Sequence, residues 1–191
     1  MYIQRKIHPE IRKHISRKEY TIITGPRQSG KTTLLRAIYN EMEDEGHPVH
    51  FLTCEDRDIL SAINRHPEEI FSFTPRPANI TNATGNTDKI RYLFIDEVQY
   101  VDDPSNFLKY LFDEYQENLK IIVTGSSAFY IDRKFTDSLA GRKRIFELQT
   151  LSFEEWLQFR KRIDLARELE LIRKQEKYQS MLLLSNCSPN L

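Results

Sequence analysis

An α/β fold is predicted by three features of this sequence. The first is a short β-branched run, Tyr20 to Thr24, that opens into Gly25-Pro26-Arg27-Gln28-Ser29-Gly30-Lys31-Thr32-Thr33. The second is an apolar run, Ile90 to Ile95, that ends in Asp96-Glu97. The third is the alternation of such strands with segments whose apolar residues recur at helical spacing, as Leu34, Leu35, Ile38 and Met42 do. Strand, glycine-rich loop and helix in succession form the context of a phosphate cradle. Gly25 and Gly30 let the backbone bend so that successive N–H groups point inward at phosphate oxygens. Lys31 would set a compact positive charge against the β- and γ-phosphates, Thr32 would offer a hydroxyl to Mg²⁺, and the helix start adds positive potential. Gly25 to Thr33 is therefore the candidate triphosphate-binding set, against the plainer reading of a glycine turn with no ligand.

The remaining elements follow in order. Residues 1–18 are basic and carry Ile3, Ile7, Ile11 and Ile15 at four-residue spacing, the pattern of one side of a helix packed on the sheet, with Pro9 limiting where that helix begins. The helix after the loop should stop near Gly46, which suits a left-handed cap. Val49 to Cys54 reads as the next strand. Glu55-Asp56-Arg57-Asp58 then reads as an acidic helix start with Ile59, Leu60 and Ile63 buried, although Asp56 or Asp58 at a strand's carboxyl end could also serve as a base toward a small-molecule acceptor. A short helix is expected over Glu68 to Phe73, and an exposed loop over Thr74 to Asp88. In Asp96-Glu97, Asp96 at the strand tip would hold the Mg²⁺ shell and Glu97 could reach a water attacking the γ-phosphate; the plain alternative is a solvated turn.

Asp103 and Pro104 suit the cap and first residue of a helix whose apolar face is Phe107, Leu108, Leu111, Phe112 and Tyr115. Leu119 to Thr124 is a further strand, ending in Gly125-Ser126-Ser127. Ser126 is the residue placed to orient the attacking water, and Ser126 or Ser127 could equally cap the next helix, which carries Phe129, Phe135 and Leu139. Arg142-Lys143-Arg144 precedes the strand Ile145 to Leu148. Such a trio is either a solvated surface or, at a subunit boundary, a source of an arginine for a neighbour's γ-phosphate. Ser152 and Glu155 form a capping box ahead of Phe153, Trp156, Leu157 and Phe159.

Composition bounds the function. The chain has 191 residues, with 28 basic and 28 acidic side chains, which suits one α/β domain of ordinary size and gives net charge no role in recruiting nucleic acid. No apolar run has the length of a membrane span, and the N-terminus lacks the core of a signal peptide, so a cytoplasmic protein is expected. Cys54 and Cys187 belong to no paired ligand motif, and the sequons at Asn79, Asn82 and Asn186 matter only in a secreted chain.

The stretches GPRQSGKTTLL, YLFIDEVQ, IIVTGSSA, LAGR and LQTLSFEEW, in this order over about residues 20–157, resemble the AAA+ ATPases, and within them the prokaryotic group whose phosphate loop reads close to GPRQxGKTT. The resemblance implies a P-loop NTPase, a three-layer α/β/α sandwich on a parallel five-stranded sheet in order 5-1-4-3-2. It implies an ATP and Mg²⁺ site served by Lys31, Thr32, Asp96, Glu97 and Ser126, with Arg142 at the position of the family's box arginine. It also divides the chain into an N-terminal helical segment (1–18), an ATPase core (19–150) and a helical extension (151–191) that stands for an incomplete lid or the start of a further domain.

An Mg²⁺-dependent ATPase that drives or signals a conformational change in a partner or assembly is the function expected. A P-loop kinase and a non-hydrolysing nucleotide-dependent interaction module are the alternatives. The absence of an Asn-Lys-x-Asp stretch, by likeness to GTPases, argues against GTP. A homo-oligomer, a protein or C-terminal-domain partner, and nucleic acid all stay open as partners; a membrane does not.

Overall fold

A computed structural model describes residues 2–77, 90–126 and 141–186. Five strands form a parallel sheet: β1 (Tyr20–Gly25), β2 (Val49–Thr53), β3 (Arg91–Asp96), β4 (Leu119–Ser126) and β5 (Lys143–Glu147). They lie in the order β2-β3-β4-β1-β5, with every neighbouring pair parallel. This is the expected order 5-1-4-3-2 read from the other edge. The central strands β1 and β4 are buried along nearly their whole length because helices cover both faces, which is why their sequences are continuous β-branched runs rather than alternating ones.

The helices are α1 (His8–Ile15), α2 (Lys31–Asp44), α3 (Arg57–Arg65) and α4 (Pro104–Tyr115), joined by 3₁₀ turns at Pro67–Ser72 and Val98–Tyr100. Two cores result. On one face Ile11 and Ile15 of α1 and Leu34, Leu35, Ile38 and Met42 of α2 pack against Ile23, Phe94 and Ile122. On the other, Phe107, Leu108 and Leu111 of α4 and Ile59 and Ile63 of α3 pack against Ile22, Leu93, Ile95, Ile121 and Val123. Alternate residues of one strand thus feed opposite cores.

Local chemistry sets the boundaries. The isoleucine stripe overstates α1, which begins at His8 with Pro9 in its first turn, leaving Ile3 and Ile7 ahead of the helix; the proline has no N–H to lose there and its fixed φ suits the start. Gly46, at φ 78°, closes α2. Its N–H donates to the Glu43 carbonyl at 2.9 Å and that of His47 to the Met42 carbonyl at 3.0 Å, so orphan carbonyls of the last turn are satisfied. Asp56 caps α3 by accepting from the Asp58 and Ile59 amides at 2.9 and 3.3 Å, the acidic helix start rather than a free base. Asp103 caps α4 through the Asn106 amide at 3.0 Å, with Pro104 first in the helix.

The last strand departs from expectation. It begins at Lys143, not Ile145, so two residues of the basic trio lie in β5 itself. β5 is an edge strand, and exposed charges there oppose pairing with another chain. Residues 78–89 and 127–140 lie outside the described residues, and with them Asn79, Asn82, Ser127, Phe129, Phe135 and Leu139; Cys187 does also.

The chain divides at Leu151 into two compact units. The second contains α5 (Phe153–Phe159) and the long α6 (Ile163–Asn186). The capping box at the start of α5 is formed in both directions: the Glu155 amide donates to Ser152 Oγ at 3.3 Å and the Ser152 amide to Glu155 Oε2 at 2.8 Å. No helix among the described residues is long and apolar enough to cross a membrane.

Candidate functional site

In parallel sheets the loops that carry chemistry leave from the carboxyl ends of the strands. β1 and β3 both flank β4, with Gly25 beside Ser126 and Ile95 beside Val123. The phosphate-type loop after β1, the acids after β3 and the tip of β4 therefore meet at one end of the sheet. Lys31 and Asp96 lie on that same end.

The loop has the backbone that its sequence requires. Gly25 has φ 154° and Gly30 φ 92°, and Gly30 is the left-handed residue that starts α2. A Cβ on Gly25 would stand 2.2 Å from the Leu148 carbonyl oxygen, so no side chain fits there. Gln28, at φ 62°, is a non-glycine residue in the left-handed region, a conformation that costs about 1 kcal/mol or more. Lys31 is buried and its ammonium donates to the Gly25 and Pro26 carbonyls at 3.2 and 3.0 Å. Ser29 Oγ is buried at the loop without a protein partner. Thr32 and Thr33 lie in the first turn of α2, with Thr32 half-buried and Thr33 exposed.

The acidic pair is held by a relay whose members, Thr124 and Gln99, lie in the quoted stretches IIVTGSSA and YLFIDEVQ without a role assigned to them from sequence. Asp96 is 3% exposed and Thr124 wholly buried. The Thr124 hydroxyl donates to Asp96 Oδ1, and its own oxygen, Oγ1, accepts the Glu97 N–H at 3.0 Å. Glu97 is itself left-handed, at φ 57°, which turns its side chain out of the strand's alternation. Gln99 then joins two of the expected residues: its Nε2 donates to Glu97 Oε2, and its Oε1 accepts the Ser126 N–H at 3.2 Å. Asp96, Glu97 and Ser126 are thus brought together, with Thr124 and Gln99 as their connectors. The sequence signals for Gln99 are its place two residues after Glu97 and at the end of the stretch YLFIDEVQ; for Thr124 they are its place in IIVTGSSA and, once the strand order is known, its position on the strand beside β3.

Cys54 sits behind this group, its amide donating to the Asp96 carbonyl at 2.9 Å. Burial, with the Asp96 and Glu97 charges adding to it, pushes its thiol up to about 12, so it is a packing residue and not a nucleophile.

Arg142 lies elsewhere. It precedes β5, at the amino end of the sheet, where its carbonyl accepts the Tyr20 N–H at 2.8 Å and its Nε donates to Asp113 Oδ1 at 2.9 Å. Its own phosphate loop is at the other end.

These residues fit a triphosphate and a divalent ion. A loop whose first glycine tolerates no Cβ, a buried lysine, a serine hydroxyl without a protein partner and a helix start share one end of the sheet with a buried carboxylate. No group of three or more His, Cys, Asp or Glu that could hold a metal ion is found among the described residues.

The model of the AAA domain matches residues 17–157. An uncharacterised protein of Methanocaldococcus jannaschii is 29% identical over 140 residues, covering 73% of this chain and 28% of its own length. This chain therefore spans less than a third of that relative. Among solved structures, the replication initiator DnaA bound to AMPPCP and single-stranded DNA superposes with a TM-score of 0.55 at 16% identity, over 96% of this chain and 63% of that one. The AMPPCP-bound DnaA of Aquifex aeolicus gives 0.52 at 18% identity, over 82% and 48%. The Pif1 helicase of Candida albicans gives 0.53 at 16% identity, over 83% and 42%. At these identities the likeness is one of fold.

Proposed function

This chain belongs to the AAA domain family, and on that premise we propose that it binds ATP with Mg²⁺ at the Gly25 to Thr33 loop and hydrolyses it. The observation that carries the reading is the meeting of Lys31, Asp96, Glu97 and Ser126 at one end of the sheet, each on the strand or loop its role requires.

The loop amides from Gly25 to Thr33 and the Lys31 ammonium bind the phosphates, with Arg27 and Gln28 exposed along the loop and Pro26 shaping its start. Thr32 and Asp96 would hold Mg²⁺, which supplies charge neutralisation at the phosphate oxygens. The Thr124 hydroxyl fixes the Asp96 carboxylate in place, so that its free oxygen is presented in one direction. Glu97 accepts the proton of the attacking water, and Ser126 orients that water or the phosphate beside it. Gln99 fixes Glu97 relative to the tip of β4, so the base and the polar residue of β4 move as one group.

Arg142, on the far end of the sheet, acts in this scheme only on a neighbouring copy's phosphate, which makes a homo-oligomer part of the proposal. Coupling of turnover to a conformational change in a partner or in the helical extension from Leu151, and a cytoplasmic setting, complete it. The kinase reading is left with Asp58 alone as its candidate base, since the Asp56 carboxylate is engaged as the α3 cap.

Phosphate release in the presence of ATP and Mg²⁺, without any acceptor, tests the reading. The chain should release phosphate and Glu97→Gln should bind ATP yet lose turnover by at least about a hundredfold. Equal rates in the two proteins would remove Glu97 from the role of base.

A further inference from the structure

Arg5 belongs to none of the motifs, yet its side chain ends at the back of the phosphate loop. It is 8% exposed. Its Nη1 donates to the Ser29 carbonyl at 2.8 Å, and its Nη2 to the carbonyls of Gln149 at 2.7 Å and Thr150 at 3.3 Å. The same Nη1 lies 3.8 Å from where a Cβ on Gly30 would stand. One guanidinium therefore spans a loop 24 positions along the chain and a segment 144 positions along it.

The geometry of the peptide bond gives this contact a consequence. The Ser29 carbonyl and the Gly30 N–H belong to one planar trans peptide unit, in which they point in opposite directions. A donor that holds the carbonyl outward therefore aims the Gly30 N–H inward, toward the concave side of the loop. Because the donor is charged, it also polarises that peptide and makes the N–H a stronger donor in turn. Gly30, at φ 92°, has no Cβ to restrict its φ, so this peptide has more orientations open to it than one between ordinary residues and an external hold has something to restrain.

The segment that Arg5 grips on its other side is already fastened to the loop. The Leu148 N–H donates to the Thr24 carbonyl at 2.7 Å, and the Leu148 carbonyl oxygen occupies the space a Gly25 side chain would need. Residues 148–150 and the loop thus touch at Thr24, at Gly25 and, through Arg5, at Ser29.

We propose that Arg5 is a positioning residue of the nucleotide site: it sets the orientation of the Ser29–Gly30 peptide for phosphate binding and ties the loop to residues 149–150. The proposal rests on the ATP-binding reading above for its ligand, but its hold on the loop does not. A lysine cannot replace it, because a single ammonium does not reproduce the planar fork that reaches carbonyls on both sides.

The test compares the full chain with Arg5→Ala and Arg5→Lys by amide hydrogen exchange without nucleotide and by titration with ATP and Mg²⁺. Exchange at Gly30 and Lys31 should quicken by about tenfold or more in both variants while the amides of β3 and β4 keep their rates. Affinity for ATP should fall by about ten- to a hundredfold, the effect of losing one charge-assisted hydrogen bond that orients a binding group. ATP should also slow exchange at 149–150 in the parent chain and not in the variants. Unchanged loop exchange, or acceleration spread evenly over the sheet, would overturn the proposal; so would restoration of parental loop exchange and affinity by Arg5→Lys. If Arg5→Ala does not fold, Arg5→Lys decides alone. Should the parent chain itself fail to bind ATP, the functional reading falls, while the exchange comparison still decides whether Arg5 holds the loop.

Discussion

Replacing Thr124 with valine isolates the relay behind the acidic pair. The two side chains have nearly the same shape, so the substitution leaves no cavity and changes only the hydroxyl. That hydroxyl donates to Asp96 Oδ1 and accepts the Glu97 N–H at 3.0 Å, at a residue with no exposed surface. Asp96, at 3% exposure, has little access to water that could replace the lost donor. A hydrogen bond to a buried charge is worth about 1.5–3 kcal/mol and a neutral one about 1 kcal/mol, so Thr124→Val should destabilise the fold by about 3 kcal/mol. For a chain of this size that is roughly a 10 °C fall in Tm. Thr124→Ser keeps the hydroxyl and loses one buried methyl, a cost of about 1 kcal/mol. Urea denaturation of the three proteins, followed by circular dichroism, measures both differences. A Thr124→Val protein within about 0.5 kcal/mol of the parent, the usual range of substitutions that break nothing, would refute the relay. So would a serine variant as unstable as the valine one.

Two further outcomes follow from the geometry. Gly25→Ala places a methyl 2.2 Å from the Leu148 carbonyl oxygen at φ 154°, so the loop must move, at a cost of about 2 kcal/mol or more; denaturation and ATP titration should both register it, and an alanine protein equal to the parent in both would show that the loop is not held against Leu148. The His14 imidazole is lowered to about 4, first by burial and then by the Lys120 charge, whereas in the unfolded chain it titrates near about 6.5. The folded group binds its proton less readily than the unfolded one, so its stabilising effect is complete above about pH 6.5 and is lost as pH falls toward 4. Between pH 7.5 and 4.5 the parent should lose about 2 kcal/mol more than His14→Gln, since the carboxylates titrate alike in both; equal losses would place His14 in an ordinary environment.

The loop and the sheet were legible because their signals are local. Gly25, Gly30 and Lys31 sit within a few residues of one another, and a β-branched run of strand length announces β1 and β4, an apolar one β3, without knowledge of the partner strands. Capping was legible for the same reason at Asp103 and Ser152, where the accepting side chain and the donating amide are three residues apart; at Asp56 only an acidic helix start was legible, not which carboxylate caps it. Thr124, Gln99 and Arg5 were not. Thr124 acts on a residue 28 positions away, and Arg5 on one 144 positions away, contacts that exist only after the strands have been ordered. Helix spacing misled at α1, where the isoleucine stripe extends past the proline that fixes the helix start. The start of β5 was misplaced because charged side chains, read as a loop signal, are also what an edge strand carries.

Equilibrium titration of ATP with Mg²⁺ against the parent chain and Lys31→Ala, side by side, bears most directly on the central claim that the Gly25 to Thr33 loop is a triphosphate site. Saturable binding by the parent and a loss of at least about a hundredfold in the alanine variant, as expected when a buried charge-assisted contact to phosphate is removed, is the outcome predicted. Equal affinity in the two proteins would contradict it.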